Sequence, residues 1–222
     1  MNIRGTTDSP STRQALEIPA GSIGLPADLE VPETARGIVV FAHGSGSSRQ
    51  SPRNRAVAAA LRSSGRFGTL LFDLLTPEED ARYANRFDVD LLTDRLVTAT
   101  AWLGEHPEAR DLPVGYFGAS TGAAAALGAA ASESSRVRAI VSRGGRPDLA
   151  KPVLPSVRVP TLLIVGGLDS TVIGMNEIAL SRLGAKIKKL EIVPGATHLF
   201  EERGAIETVV RLTSDWFERY LA

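Results

Sequence analysis

The sequence predicts an α/β fold, with a mostly parallel central sheet and helices on both faces. Two observations predict it. Short apolar runs alternate with longer segments of helical period along the whole chain, the pattern left by βαβ units. Several of these runs, such as Gly37-Ile-Val-Val-Phe-Ala42, are apolar at every position rather than at alternate ones, as strands covered on both faces are.

Taken in order, residues 14–18 and 22–30 read as an opening pair of strands joined through Ala20-Gly21. The Gly37–Ala42 strand follows, then a loop rich in Gly, Ser and Arg and a helix at about 53–64. Thr69-Leu-Leu-Phe-Asp73 is the next strand. Residues 87–104 form a helix with Leu92, Leu96 and Leu103 on one face. Val114-Gly-Tyr-Phe117 is a strand, and Thr121 to Ser132 is an alanine-rich helix. Val137–Val141, Thr161–Val165 and Lys189–Val193 supply three more strands, with a helix near 173–183 between the last two. The closing helix places Ile206, Val209, Val210, Trp216, Phe217 and Tyr220 on one apolar stripe. With no repeat and no low-complexity linker, the expectation is a single domain over 1–222, residues 1–12 forming a flexible N-terminal segment.

Composition narrows the chemistry. Of 222 residues, 43% are hydrophobic and 23% charged, as in ordinary globular proteins. Lys+Arg and Asp+Glu are both 25, so no global field favours nucleic acid. There is no cysteine, which excludes disulfides, thiolate metal sites and a cysteine nucleophile. No apolar run approaches the ~18 residues of a membrane span, and the start has no apolar signal region. The expected setting is cytoplasmic, with no membrane or nucleic-acid partner, no metal and no cofactor. Histidine occurs only at 43, 106 and 198.

Gly118-Ala-Ser120-Thr-Gly122 fits G-x-S-x-G, the nucleophile elbow. A chain of this composition would produce the pattern roughly 0.16 times by chance, so its context carries the argument. An apolar strand ends at Phe117 and a strong helix former begins at Thr121. A corner this tight strains its central residue, and flanking glycines remove the Cβ atoms that would clash. The helix N-terminus behind the corner aims free N–H groups at the same point.

A serine hydroxyl needs a base to take its proton. In elbow enzymes of this kind the acid and then the histidine follow the serine along the chain. His198, in Gly195-Ala-Thr-His198 after the last strand, is the only histidine beyond Ser120. Asp169, in Gly166-Gly-Leu-Asp169, is the candidate acid that would fix its tautomer; the other role open to Asp169 is a helix N-cap, and Asp148 is the rival acid. His43-Gly44-Ser45-Gly46 follows the Gly37–Ala42 strand. The backbone of Ser45, with Gly44 as an alternative, and that of Thr121 are the expected oxyanion donors. His43 reads as a loop brace and His106 as a charge partner at a helix end.

These four motifs, in this order, resemble the α/β-hydrolase superfamily and specifically its dienelactone hydrolase-like branch, over about residues 14–222. The resemblance implies the α/β-hydrolase fold and a Ser120–His198–Asp169 triad. It departs at one point: dienelactone hydrolases of this layout use a cysteine nucleophile, and here the position is Ser120. Serine esterase chemistry on a small ester is therefore expected. A thioesterase, lactonase or amidase with the same triad, and a silent binding domain of this fold, are the alternatives. Only about 19 residues (142–160) stand where relatives insert a cap, so no cap domain is expected. Arginines cluster after two strands: Arg49, Arg53 and Arg55, then Arg143 and Arg146. Arg49, Arg143 and Arg146 are candidate grips for an acidic group on the substrate, with surface ion pairs as the other reading, and Gly44 is a further candidate substrate-binding residue. The oligomeric state is left between monomer and homodimer.

Overall fold

The computed structural model describes residues 11–132 and 136–221. Eight strands form one sheet: β1 (Ser11–Ala20), β2 (Ile23–Pro32), β3 (Gly37–Ala42), β4 (Phe67–Phe72), β5 (Val114–Ala119), β6 (Val137–Arg143), β7 (Thr161–Gly166) and β8 (Lys188–Val193). Their order across the sheet is β1-β2-β4-β3-β5-β6-β7-β8. β2 runs antiparallel to both β1 and β4, and every pairing from β4 to β8 is parallel. The expected mostly parallel sheet is present. β1 starts at Ser11; the rest of the expected N-terminal segment, residues 1–10, lies outside the described residues.

The strands that read as apolar throughout are buried throughout: β3, β4, β5 and β7 expose no residue. Helices cover both faces. On one side α3 (Val89–Glu105), α4 (Thr121–Ala131) and α5 (Ser170–Arg182) pack Leu92, Leu96, Leu103, Leu127 and Ala179 against Val40, Tyr116 and Ile140. On the other, α1 (Pro52–Ser63) and α6 (Ala205–Tyr220) bring Val57, Leu61, Val209 and Phe217 onto Phe41, Phe117 and Ile164. The alanines of α4 let it lie close: Ala123 through Ala126 are fully buried. A short helix α2 (Pro77–Asp80), held by a capping box between Thr76 and Glu79, was not evident from apolar period because none of its residues is buried. No helix among the described residues is long and apolar enough to cross a membrane.

Several strand ends differ from the sequence reading by a few residues, and two of them matter for the site. β5 runs through Gly118 and Ala119 to abut Ser120, and β6 continues past Val141 to Arg143. Glycine and charge at these ends look like loop, yet Gly118 and Ala119 pair with Ser142 and Arg143 in the ladder. The link from β6 to β7 holds a 3-10 segment, Pro147–Ser156, and no cap domain is present among the described residues.

Candidate active site

The elbow is strained as its motif requires. Ser120 has φ 51° and ψ −118°, a region that L-residues other than glycine rarely enter. Backbone bonds hold it there: Ser120 N–H donates to Arg143 O at 3.2 Å, and Ser120 O accepts from Ala123 N–H and Arg146 N–H, each at 3.1 Å. Both motif glycines are sterically obligatory. A Cβ on Gly118 would stand 2.4 Å from Ala123 Cα, and one on Gly122 would stand 2.2 Å from Ala42 O. The second contact shows how close α4 comes to the end of β3.

Asp169 and His198 come from the ends of β7 and β8. Gly167 N–H donates to Val193 O at 2.8 Å and Leu168 N–H to Ala196 O at 2.9 Å, which stitches the two loops together. Gly166 permits this, since a Cβ there would lie 2.4 Å from Ala196 O. Asp169 Oδ2 accepts the Nδ1–H of His198 at 2.6 Å. Asp169 does occupy the N-cap position of α5, but its side chain caps nothing. The imidazole packs on Gly144, whose position a Cβ would bring to 3.3 Å from Cε1. The rival acid is engaged elsewhere: Asp148 takes a two-pronged pair from Arg146 Nε and Nη2 at 2.9 and 2.8 Å. That pairing holds the Asp148 carboxyl below its usual range and raises Arg146 above its own.

On the side of the expected oxyanion donors, Gly44 lies against the elbow: a Cβ there would meet Ser120 Cβ at 3.1 Å. Ser45 comes next along this loop. Thr121 is the first residue of α4, so its N–H has no acceptor within the helix. His43 braces the loop from behind. Its Nε2 accepts from Leu74 N–H at 3.0 Å, which leaves Nδ1 as the donor to Gly44 O at 3.0 Å. Burial lowers the His43 pKa, so the ring stays neutral in this role. His106 caps the end of α3 and stacks on Trp102, centroids 4.9 Å apart.

Gly44, Ser45, Ser47, Ser51, Arg53, Asn54, Ala119, Ser120, Arg143, His198 and Leu199 line one cleft of about 260 Å³. Of the candidate site residues, four do not line this cleft: Asp169, Thr121, Arg49 and Arg146. Asp169 stands behind His198, and Thr121 behind Ser120. Arg49 is drawn off by Asp73, to whose Oδ1 its backbone N–H also donates at 2.6 Å, and by Asp28 at 3.8 Å. Arg146 is held by Asp148. Of the three candidate arginine grips, only Arg143 lines the cleft. Sequence reasoning missed Asn54 and Phe200. Asn54 accepts from Arg143 Nη2 at 3.5 Å, and Phe200 lies under the Arg143 guanidinium, 5.7 Å from ring centroid to Cζ. Phe200 is the other non-glycine residue with positive φ among those described, 55°, two positions after His198. A larger groove of about 610 Å³ between β8 and α6 contains none of the candidate catalytic residues. No three His, Cys, Asp or Glu side chains gather to hold a metal among the described residues.

No protein-family model matches the chain. Over 99% of its length it is 55% identical to a protein of Mycobacterium tuberculosis, found in strains CDC 1551 / Oshkosh and H37Rv and named "Putative phosphoribosyl transferase". The chain spans about half of that protein, 49% of its length. Among solved structures, a dienelactone hydrolase from Anabaena variabilis is 54% identical, with a TM-score of 0.91 over 96% of this chain and 99% of that one. Est1E from Butyrivibrio proteoclasticus shares the fold at 15% identity, with a TM-score of 0.79 over 92% of this chain and 98% of its own. Identity above one half across nearly the whole of both chains places this protein in the dienelactone hydrolase-like family of α/β-hydrolases.

Proposed function

We propose that this hydrolase is a serine carboxylesterase that cleaves small esters through an acyl-serine, with Ser120 as nucleophile, His198 as base and Asp169 as the acid that orients it. The observation that carries the reading is the 2.6 Å bond from His198 Nδ1 to Asp169, made where His198 and a strained Ser120 line the same cleft. With Nδ1 donating, Nε2 is left with a free lone pair to take the Ser120 proton. Attack on the ester carbonyl forms the Ser120 Oγ–C bond and moves the π electrons onto oxygen. The Ser45 and Thr121 amides receive that oxyanion, each such donor being worth about 3 kcal/mol in the transition state. Collapse expels the alcohol, which takes its proton from His198, and water activated by the same base releases the acid. At about 260 Å³ the cleft is smaller than the ~300–1,000 Å³ of sites for drug-sized ligands, which favours short acyl groups.

The dienelactone hydrolase at 54% identity favours lactones as a second substrate class, since lactones are cyclic esters open to the same attack. The chain spans about half of the mycobacterial protein named as a putative phosphoribosyl transferase, so that name does not by itself assign a transferase activity to the matched region. Labelling with a fluorophosphonate probe tests the reading. Stoichiometric modification of Ser120, lost in Ser120→Ala together with turnover of 4-nitrophenyl butyrate, is expected. Unchanged turnover in Ser120→Ala would sink it.

A further inference from the structure

The cleft contains a cation that no carboxylate among the described residues is seen to neutralise. Arg143 ends β6 beside the elbow, and its side chain is buried, the residue being only 7% exposed. The one hydrogen bond of its side chain among the described residues is the long 3.5 Å contact to the neutral Asn54, and its Nε is buried without a partner. The remaining contact is the face of Phe200. Several other part-buried arginines each have a carboxylate: Arg49 has Asp73, Arg86 has Asp80, Arg95 has Glu79 and Arg146 has Asp148, while Arg136 gives its guanidinium to three backbone carbonyls. Burial lowers the Arg143 pKa to about 10, and the nearby charge of Arg53 pushes the same way, so the group is still cationic at neutral pH. An uncompensated buried charge is expensive, and such a group calls for a counter-ion.

What surrounds Arg143 is also donor-rich. Ser51, Arg53 and Asn54 line the same cleft and are the N-cap and first turn of the twelve-residue helix α1, so the positive end of that helix lies at the cleft. Arg53 spends Nη1 on the exposed Glu201 at 2.7 Å, while its Nε is buried without a partner. No carboxylate among the described residues lines the cleft.

We propose that Arg143 is a specificity-determining residue that anchors an oxoanion carried on the acyl part of the substrate, with Arg53, Ser51 and Asn54 completing the subsite. Ser51 Oγ already accepts the Asn54 N–H at 3.4 Å and Pro52 has no N–H, yet two guanidinium groups, the Asn54 amide nitrogen and the Ser51 hydroxyl hydrogen still offer more donors than the two oxygens of a carboxylate can use. They suit the three oxygens and double charge of a phosphate. The substrate class is therefore a small ester bearing a phosphate or phosphonate group near the reacting carbonyl. This deepens the serine-hydrolase reading and rests on it for the placement of the ester.

The test compares kcat/KM for three matched substrates, 4-nitrophenyl butyrate, mono-4-nitrophenyl succinate and 4-nitrophenyl 3-phosphonopropionate, at low ionic strength. The phosphonate is expected to exceed the butyrate by about tenfold or more, with the succinate between them. Most of that ratio should be lost in Arg143→Gln and part of it kept in Arg143→Lys. Equal kcat/KM for all three overturns the oxoanion subsite, and a succinate preferred to the phosphonate overturns the phosphate assignment. Inorganic phosphate, titrated calorimetrically into the wild-type protein, reads the subsite without any substituted side chain; binding that is absent up to tens of millimolar counts against it. The two readings fail separately. Loss of fluorophosphonate labelling in the wild type removes the nucleophile while calorimetry still reports the anion; labelling without anion preference removes the subsite alone.

Discussion

Asp169 stands at the N-cap of α5 but gives its carboxylate to His198 Nδ1, 2.6 Å away, and not to the helix amides. Aspartate at this position ordinarily bonds the N2 or N3 amide and stabilises the helix by about 1 kcal/mol. That contribution is forgone here, and a loop histidine is oriented in its place. Asp169→Asn should therefore separate activity from stability. The amide can hold the ring in the wrong tautomer, so kcat for 4-nitrophenyl butyrate is expected to fall about 10³–10⁴-fold. With no cap bond to lose, the melting temperature should move by less than about 4 °C.

Asp148 provides the contrasting variant. Its carboxylate is committed to Arg146 at the edge of the site. Asp148→Asn is expected to keep kcat within about threefold and to cost ~1 kcal/mol or less by urea titration, as partly exposed ion pairs do. A hundredfold loss of kcat with fold intact would transfer the role of acid to Asp148.

Gly122→Ala probes the closeness of α4 to β3. The added methyl would lie 2.2 Å from Ala42 O and 2.5 Å from His43 O, both backbone atoms that cannot swing aside. Overpacking against rigid backbone costs typically 1–3 kcal/mol or more, and here the displaced atoms also carry the oxyanion loop. Thermal melting is expected to drop by about 5 °C or more, with fluorophosphonate labelling slowed in whatever protein remains folded. A variant that melts and labels like the wild type would mean that the elbow does not depend on this approach.

His43 introduces a pH dependence of stability. Its folded pKa lies below 6.5, so under acid conditions the unfolded chain binds a proton that the folded chain does not. Stability from this group is complete above about pH 6.5 and declines as pH falls toward the folded pKa, by at most ~1.4 kcal/mol per unit. His43→Gln keeps a side-chain acceptor for Leu74 N–H and removes the titration. The difference in unfolding free energy between wild type and variant should shrink from pH 7 to pH 5.5. A constant difference would show that His43 accepts a proton in place.

Much of this was legible along the chain, and the reasons are physical. Strands buried on both faces must be apolar at every position, so β3 and β7 were visible in composition alone. The elbow, the Gly166-Gly-Leu-Asp169 turn and the histidine loop are local, and their spacing carries their chemistry. Illegible were contacts made across the sheet. Arg143 meets Asn54 from the opposite side of the elbow, and Arg49 is neutralised by Asp73 from the next loop; no periodicity encodes either pairing. Arg146 with Asp148 was different, for two residues apart in a turn they could have been read as a pair. The ends of β5 and β6 were misplaced because ladder bonds, which glycine and arginine make as well as valine does, decide where a strand stops.

The order of strands also ranks the parts of the site by how firmly they are anchored. Ser120 hangs from β5, which has a hydrogen-bonded neighbour on each side, whereas the loop carrying His198 follows β8, the outermost strand, mostly half-exposed and paired to β7 alone. Edge elements with few buried contacts open at lower free energy than central ones. The proposed proton acceptor therefore rests beside an edge of the sheet and the proposed nucleophile at its interior. On the proposed assignment, fraying of that edge would take His198 away from a Ser120 still held in place, so activity would belong to a narrower range of conditions than the folded sheet itself.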